Sequence, residues 1–350
     1  MRVNILLSAY YDRNFGDDMM VRLAARALAE HELFLNERRE EFLTPFAGGD
    51  NLRLLSECGQ AQIAGELRVT GSYFMMRYKQ RMKHMIGRAY KEWKGKRGLQ
   101  FKSIIGCSVG PFVDRTAERI SIIDISAYDL ITVRDRYSYE FIKKNVKSAN
   151  VSYYPDLVFS TPESWLPPRS GEELLGVVVH NNVVETGNNY AFAQKLAQMC
   201  DEYIARTGKK VLLFVFDIGI EYDVLCACNV KALSKYPHMY EFVLHEDNGD
   251  TVIKNFARCK TIVSARLHGI ILALRMGIPV LPVLYSDKAR HMLDDLGFSG
   301  KRYTVGAFVD APVEELYESL THTKAFELPE NLVSDAGMHF TAFKRQLASL

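Results

Sequence analysis

The alternation of short apolar runs with longer helical patterns limits the folds open to this chain more than any other feature. It is clearest in the second half. This alternation is typical of a parallel sheet with helices on both faces, because each parallel strand needs a crossover connection. The predicted strands lie at 174–180, 210–217, 239–245, 260–264 and 279–284, and the predicted helices at 189–206, 221–235, 249–258, 267–277 and 287–296.

The first half opens in the same way, with a predicted strand at 2–8 and a helix from about residue 17 to residue 30. A stretch rich in Pro, Ser and Gly at 160–173 is typical of a linker. We therefore predict an α/β protein with Rossmann-like domains at 1–165 and 170–330 and a final helix within 331–350. The other predicted first-half elements are strands at 41–45, 66–70, 101–107, 128–133 and 150–154, a Gly48-Gly49 turn, and helices at 51–58, 115–125 and 136–146.

Composition excludes several classes of protein. The net charge of +2 gives no reason to expect nucleic acid as a partner. None of the six cysteines forms a C-x-x-C pair and no His/Cys cluster has zinc spacing, so we expect buried thiols and no metal. The N-terminal apolar run is too short for a signal peptide, and the apolar stretch 269–285 is interrupted by Arg, Gly and Pro. We expect a cytoplasmic protein.

The most informative local pattern is at 261–274, where a β-branched run turns into an apolar helix. Arg266, His268 and Gly269 occupy the turn. A helix N-terminus attracts anions, a guanidinium binds carboxylate or phosphate in a bidentate manner, and an imidazole moves protons near neutral pH. This turn could hold a small dianion and protonate it. Alternatively, Arg266 is an ordinary salt-bridged residue and His268 makes only a local hydrogen bond.

Six motifs in order resemble the polysaccharide pyruvyl transferase family, and they cover roughly residues 3–300. Tyr285 and Lys288 follow the last of them. The motifs are NFGDD at 14–18, IGCSVGP at 105–111, VRDRYS at 133–138, PDLVF at 155–159, SARLHG at 264–269 and GIP at 277–279.

The resemblance implies a glycosyltransferase-B-like arrangement of two Rossmann-like domains with a cleft between them. It implies that a pyruvyl group moves from phosphoenolpyruvate, bound at the Arg-Leu-His turn, to a sugar, where it forms a cyclic ketal. No cofactor beyond that co-substrate is implied. The chain departs from the family pattern at 70–73, where many members have a glycine-rich run, and at 180–182, where some have a basic residue. The second departure leaves open which residue completes the donor site.

Ketal formation from an enol phosphate requires a proton for the methylene carbon, cationic groups for the donor and a base for the sugar hydroxyls. We assign His268 as the general acid and Arg266 as the anion clamp. Lys288 and the N–H groups around Gly269 would bind the phosphate. Ser264 and Leu267 complete the predicted donor site in the second domain.

The first domain is the expected acceptor side. Asp17 and Asp18 are candidate bases there, or they only cap the first helix. Asn14, Gly16 and Tyr73 are the candidate acceptor contacts, with Gly16 allowing a close approach or a positive φ. Three further residues lie outside the predicted site or at its edge. We expect Arg134 to form a salt bridge with Asp135 and Asp156 to order the linker, while His245 either lines the cleft or is a structural histidine.

Two alternatives of other classes stay open. One is a nucleotide-sugar glycosyltransferase of the same architecture, in which Glu246 or Asp247 would bind the ribose. The other is a non-catalytic relative that binds a sugar or an anion. The sequence predicts neither the acceptor sugar nor the oligomeric state.

Residues 74–97 show helical spacing of apolar side chains. Between residues 77 and 102 the chain contains ten basic residues and a single acidic one. One interpretation is a core-facing helix with a basic solvated face. The other is a helix lying on an anionic membrane leaflet, which would bring the enzyme to a lipid-linked sugar.

Overall fold

The computed structural model describes residues 2–37, 46, 50–58, 62–76, 87, 90, 98–147, 149–181, 189–247 and 249–350. The chain forms two compact units. The first contains Met1–Tyr11, Met20–Ser160 and Asn331–Leu350, and the second contains Asp12–Met19 and Thr161–Glu330.

The strands of the described residues form two parallel sheets. In the first unit the order is β3-β2-β1-β4-β6-β7-β8, with β5 paired to β6, and in the second it is β11-β10-β9-β12-β13-β14. The strands of the first unit are β1 Asn4–Ser8, β2 Glu32–Leu35, β3 Leu52–Leu54, β4 Gly65–Val69, β5 Ser72–Met76, β6 Phe101–Phe112, β7 Leu130–Val133 and β8 Val151–Tyr153. Those of the second are β9 Leu174–Val178, β10 Val211–Val215, β11 Tyr240–Leu244, β12 Cys259–Ser264, β13 Val280–Leu284 and β14 Tyr303–Thr304.

Helices connect these strands. In chain order they are α1 Phe15–Ala27, α2 Arg115–Ile125, α3 Arg136–Asn145, α4 Asn189–Thr207, α5 Asp223–Leu233, α6 Asp250–Phe256, α7 Leu267–Arg275, α8 Asp287–Asp295, α9 Val305–Asp310, α10 Val313–His322 and α11 Leu332–Ala348. Short 3₁₀ helices lie at Leu55–Cys58, Leu157–Ser160, Glu163–Trp165 and Pro237–Met239. No described helix is long and apolar enough to cross a membrane.

The second sheet follows from its sequence. Strands β9, β10 and β13 are buried along their whole length, as expected for parallel strands covered on both faces. The strand order reverses direction between β9 and β12, and this is the point at which open α/β sheets bind ligands. The fold class is confirmed as two parallel-sheet α/β units, whereas the cleft between them stays a prediction.

Two segments group differently from the predicted domains. Asp12–Met19 belongs to the second unit although we assigned it to the first. The final helix, predicted as a separate piece, is part of the first unit, because Phe343 is buried 5.6 Å from the Phe101 ring and Gln346 accepts a hydrogen bond from Ser103 Oγ at 2.5 Å. The second unit resumes at Thr161, within the predicted linker 160–173 and ahead of the predicted domain start at residue 170.

Several local predictions were wrong. Residues 52–54 form a strand and only Leu55–Cys58 is helical, as a 3₁₀ turn. Residues 72–76 form strand β5, whereas the sequence predicts that a helix begins at residue 74. Strand β14 and helix α9 were missed, since both are short. The predicted strand at 41–45, the Gly48-Gly49 turn and most of the basic segment 74–97 lie outside the described residues.

A buried histidine makes the first unit sensitive to pH. Nε2 of His339 lies 2.9 Å from the Pro155 carbonyl, and Nδ1 lies 2.5 Å from Thr132 Oγ1. Burial lowers the pKa of His339 to about 4. As the pH falls below about 6.5, the unfolded chain takes up a proton that the folded chain refuses, so stability decreases down to the folded pKa.

We expect this one group to cost about 3 kcal/mol of unfolding free energy between pH 7 and pH 4. Urea unfolding at a series of pH values gives the free energy of unfolding of the wild type and of His339→Gln as a function of pH. The difference between these two curves is the contribution of His339. Parallel profiles would contradict the assignment.

Candidate functional site

Five strands of the second sheet each deliver a polar side chain within two residues of their carboxyl ends. Because parallel strands end at the same edge, these groups share one edge of the sheet. In sheet order they are His245 after β11, Asp217 after β10, His180 after β9, Arg266 after β12 and Tyr285 after β13. His180 and Arg266 therefore follow the two strands at which the order reverses.

The turn after β12 is shaped by Ser264 and Gly269. Ser264 Oγ donates to the Arg266 carbonyl at 2.8 Å and accepts from the Arg266 N–H at 3.2 Å. A Cβ on Gly269 would lie 2.4 Å from Ser264 Oγ and 2.9 Å from the Val178 side chain. We predicted Ser264, Leu267 and Gly269 as donor contacts, but all three are buried and the Ser264 hydroxyl is used by the turn itself.

The close approach at Gly269 yields a stability prediction. Gly269→Ala should lower the free energy of unfolding by about 1–3 kcal/mol, because an added methyl overpacks the turn. Thermal unfolding measures this. The matched control is Gly306→Ala in α9, where an added Cβ meets nothing within 4 Å. Equal melting temperatures for the two variants would contradict this prediction, because the turn would then accommodate the added methyl group without loss of stability.

Arg266 is surrounded by carboxylates. Its Nε donates to Asp223 Oδ2 at 2.9 Å, one terminal nitrogen donates to Asp223 Oδ1 at 2.6 Å, and the other contacts Glu221. These carboxylates raise the pKa of Arg266 despite its burial, so it is permanently charged. The simple anion clamp we predicted is corrected accordingly: the guanidinium is already paired, because the loop after β10 and the start of α5 each carry an acid that reaches it.

Asp223 is fixed from several sides. Its carboxylate also accepts the backbone N–H groups of Asn181 at 3.1 Å and Asp217 at 3.2 Å. Burial alone would raise the pKa of Asp223, but the Arg266 charge, the hydrogen bonds from Arg266 and the nearby His180 ring hold it below its usual value. Asp223 is therefore a carboxylate at neutral pH.

His180 lies beside this pair. Its Nδ1 is 3.5 Å from Asp223, and its ring centroid is 4.1 Å from that of Tyr285. Burial, followed by the nearby Arg266 charge, lowers the pKa of His180, so the ring is neutral. Sequence reasoning noted His180 only as a departure from the family pattern and missed Asp217, Glu221 and Asp223. The position of Asp217 at the end of an apolar strand was the available signal.

The segment 12–19 docks on this edge. Asn14 pairs with Asp217 as an isolated antiparallel bridge, its Nδ2 donates to Asp217 Oδ2 at 3.1 Å, and the Phe15 N–H donates to the Phe216 carbonyl at 2.9 Å. Gly16 packs so closely that a Cβ would lie 1.6 Å from Nδ1 of His268. Asn14 and Gly16 were assigned to an acceptor side in the other domain. Instead they lie in the same unit as the Arg-Leu-His turn.

Asp18 and His245 form a second buried pair, with Oδ2 of Asp18 2.7 Å from Nε2 of His245. Burial raises the pKa of Asp18. Asn14 caps the start of the helix, since its Oδ1 accepts the Gly16 N–H at 3.1 Å. Asp18 is thus no exposed base, while Asp17 is half-buried in the same turn.

The remaining predicted residues are dispersed. Lys288 is the second residue of α8 and is half-buried. Tyr73 lies in the first unit, where it is packed in the apolar core with Arg68 over its ring at 4.4 Å, so an acceptor contact there is not supported. Arg134 pairs with Asp156 at 2.7 Å rather than with Asp135, which caps α3. In the described part of the chain no group of three His, Cys, Asp or Glu residues could hold a metal.

A family model, polysaccharide pyruvyl transferase, matches residues 69–287, which is more than half of the chain. The chain belongs to the polysaccharide pyruvyl transferase family. The match includes β9 to β13 and the Arg266–His268 turn. It does not include the NFGDD motif at 14–18, and it ends one residue before Lys288.

Solved structures agree in fold with this member of the pyruvyl transferase family. UDP-GlcNAc 2-epimerase from Methanocaldococcus jannaschii matches with a TM-score of 0.62 at 8% identity over 99% of this chain and 100% of that one. The Neisseria meningitidis UDP-GlcNAc 2-epimerase gives 0.61 at 9% identity, and HepE from Anabaena in complex with UDP gives 0.56 at 12%, each over 100% of both chains. These likenesses show a glycosyltransferase-B-type fold.

Proposed function

We propose that the protein transfers the pyruvyl group of phosphoenolpyruvate to two hydroxyls of a sugar in a surface polysaccharide or its precursor. Family membership supports transfer onto a polysaccharide. The observation that carries the donor assignment is the turn at the reversal point of the second sheet, where Arg266 and His268 stand at the N-terminus of α7.

The proposed chemistry uses residues of the second unit. His268 gives a proton to the methylene carbon, the first sugar hydroxyl attacks the resulting cationic carbon, and a base takes the hydroxyl proton. Phosphate then leaves with the bridging oxygen and takes up the proton held by the base, and the second hydroxyl attacks the same carbon and gives its proton to His268, which closes the ketal. Asp17 is the proposed base, since its neighbour Gly16 packs on His268 while Asp18 is bound to His245. The N–H groups of the first turn of α7 and Lys288 would bind the phosphate.

The test is phosphate release from phosphoenolpyruvate in the presence of a panel of soluble and lipid-linked sugars, with mass spectrometry of the acceptor. Release that depends on the sugar and yields a pyruvylated product supports the proposal. Products from UDP-sugars, with none from phosphoenolpyruvate, would contradict it.

A nucleotide-sugar glycosyltransferase is the second candidate. It is favoured by the carboxylates around Arg266, which could accept hydrogen bonds from hydroxyl groups. The similar structures bound to UDP or UDP-GlcNAc belong to the same fold. The UDP-sugar arm of the same assay decides between the two, and silence in both arms favours a non-catalytic binding protein.

We also propose that the acceptor is lipid-linked and that the basic segment within 74–97 contacts an anionic leaflet. The support is the sequence, with its excess of Lys and Arg. Co-sedimentation with anionic vesicles should occur at low salt and weaken as salt rises. Absence of binding at low salt would refute the membrane contact and leave the donor proposal intact.

A further inference from the structure

Arg266 is held by two carboxylates in different ways. The Asp223 side chain is 0% exposed and binds two nitrogens of the guanidinium. The Glu221 side chain is 31% exposed and binds one. Its carboxylate also lies 3.8 Å from Nδ1 of the neutral His180 ring. The Asp223 carboxylate is therefore buried and bound twice to the guanidinium, whereas the Glu221 carboxylate is partly exposed and bound once.

The local charge makes the second carboxylate redundant. Asp223 alone neutralises Arg266, and His180 contributes no positive charge because burial and Arg266 lower its pKa. Glu221 adds a further negative charge beside the guanidinium. An anion that took its place on Arg266 would leave the bidentate pair with Asp223 intact.

We propose that Glu221 is an internal ligand of Arg266 which the carboxylate of the donor displaces. This inference rests on the proposed function. Glu221 thereby sets the affinity for the donor, because each binding event must replace an existing ion pair. It also favours a ligand with two anionic groups, since a second group bound at the α7 N-terminus helps to offset the lost pair.

The loop geometry allows the exchange without movement of the backbone. Asp217 Oδ1 accepts the N–H groups of Gly219 at 3.0 Å and Glu221 at 3.1 Å, and Asn181 Nδ2 donates to the Glu221 carbonyl at 3.2 Å. The Glu221 backbone is thus fixed on both sides, and only its side chain has to rotate.

The test compares Glu221→Gln with the wild type. Glutamine keeps the length of the side chain and its hydrogen-bonding oxygen but removes the charge. The matched control is Glu318→Gln on α10, which removes the same charge from an exposed position away from Arg266. Isothermal titration calorimetry gives the Kd for phosphoenolpyruvate and for inorganic phosphate, and thermal unfolding verifies that each variant is folded.

We expect Glu221→Gln to bind phosphoenolpyruvate about three- to tenfold more tightly, in proportion to the modest strength of a partly exposed ion pair, and Glu318→Gln to match the wild type. Equal or weaker binding by Glu221→Gln, with binding by the wild type intact, would overturn the exchange and leave the proposed function standing. If neither protein binds phosphoenolpyruvate, the proposed function fails and the exchange fails with it.

Discussion

His268→Gln is expected to lower turnover by about 10²–10⁴-fold while the donor still binds, because glutamine fills the same space but cannot deliver a proton. The residue stands in the first turn of α7 against the backbone of Gly16, so its ring position is determined by packing. Steady-state phosphate release gives the turnover, and calorimetry gives the donor Kd.

The control for this experiment is His238→Gln, an exposed histidine in the 3₁₀ helix Pro237–Met239 of the same unit. It should retain wild-type turnover. A loss of less than threefold in His268→Gln would remove this histidine from the role of general acid and leave the proton source to another group.

Arg266→Ala should abolish most donor binding and also lower the free energy of unfolding by about 3–5 kcal/mol. Removing the guanidinium leaves Asp223 charged, fully buried and without its main counter-charge, which is the costly way to break a buried pair. Calorimetric unfolding measures the stability term. The double variant Arg266→Ala/Asp223→Ala should lose less than the sum of the two single losses, because both remove the same interaction.

An exposed pair provides the comparison. Arg290 and Asp287 form an ion pair in α8 with side chains 52% and 62% exposed. Arg290→Ala should cost less than about 1 kcal/mol, since water screens such pairs. Similar losses of unfolding free energy in Arg266→Ala and Arg290→Ala would contradict the prediction that burial makes the removal of Arg266 more costly.

The turn at 264–269 could be predicted because the residues that indicate it are close together in the sequence. A β-branched run, a glycine that permits close packing and an apolar helix follow one another within 14 residues. The partners of Arg266 could not be predicted, since Asp223 and Glu221 lie 43 and 45 positions away. These acids reach Arg266 because of the order of the strands in the sheet, and no short segment of sequence predicts that order.

The same reason explains the misplaced loop. The sequence predicts a loop at 10–16 between β1 and the first helix, and the structure begins that helix two residues earlier than predicted, at Phe15. The contact of Asn14 with Asp217 spans 203 positions, and that of Asp18 with His245 spans 227. The burial of Tyr73 could not be predicted for a related reason: Arg68 and Tyr128 pack against its ring, and a single aromatic residue in a sequence does not show which side chains will pack on it.

The placement of α11 in the first unit has a consequence for synthesis on the ribosome. Phe101 and Ser103 of β6 leave the ribosome long before Phe343 and Gln346, their partners in α11, are translated. Domains of a nascent chain generally fold in the order of their synthesis. In this chain the unit that is translated first is completed last, so Phe101 and Ser103 lack their α11 contacts until all of Thr161–Glu330 has been made.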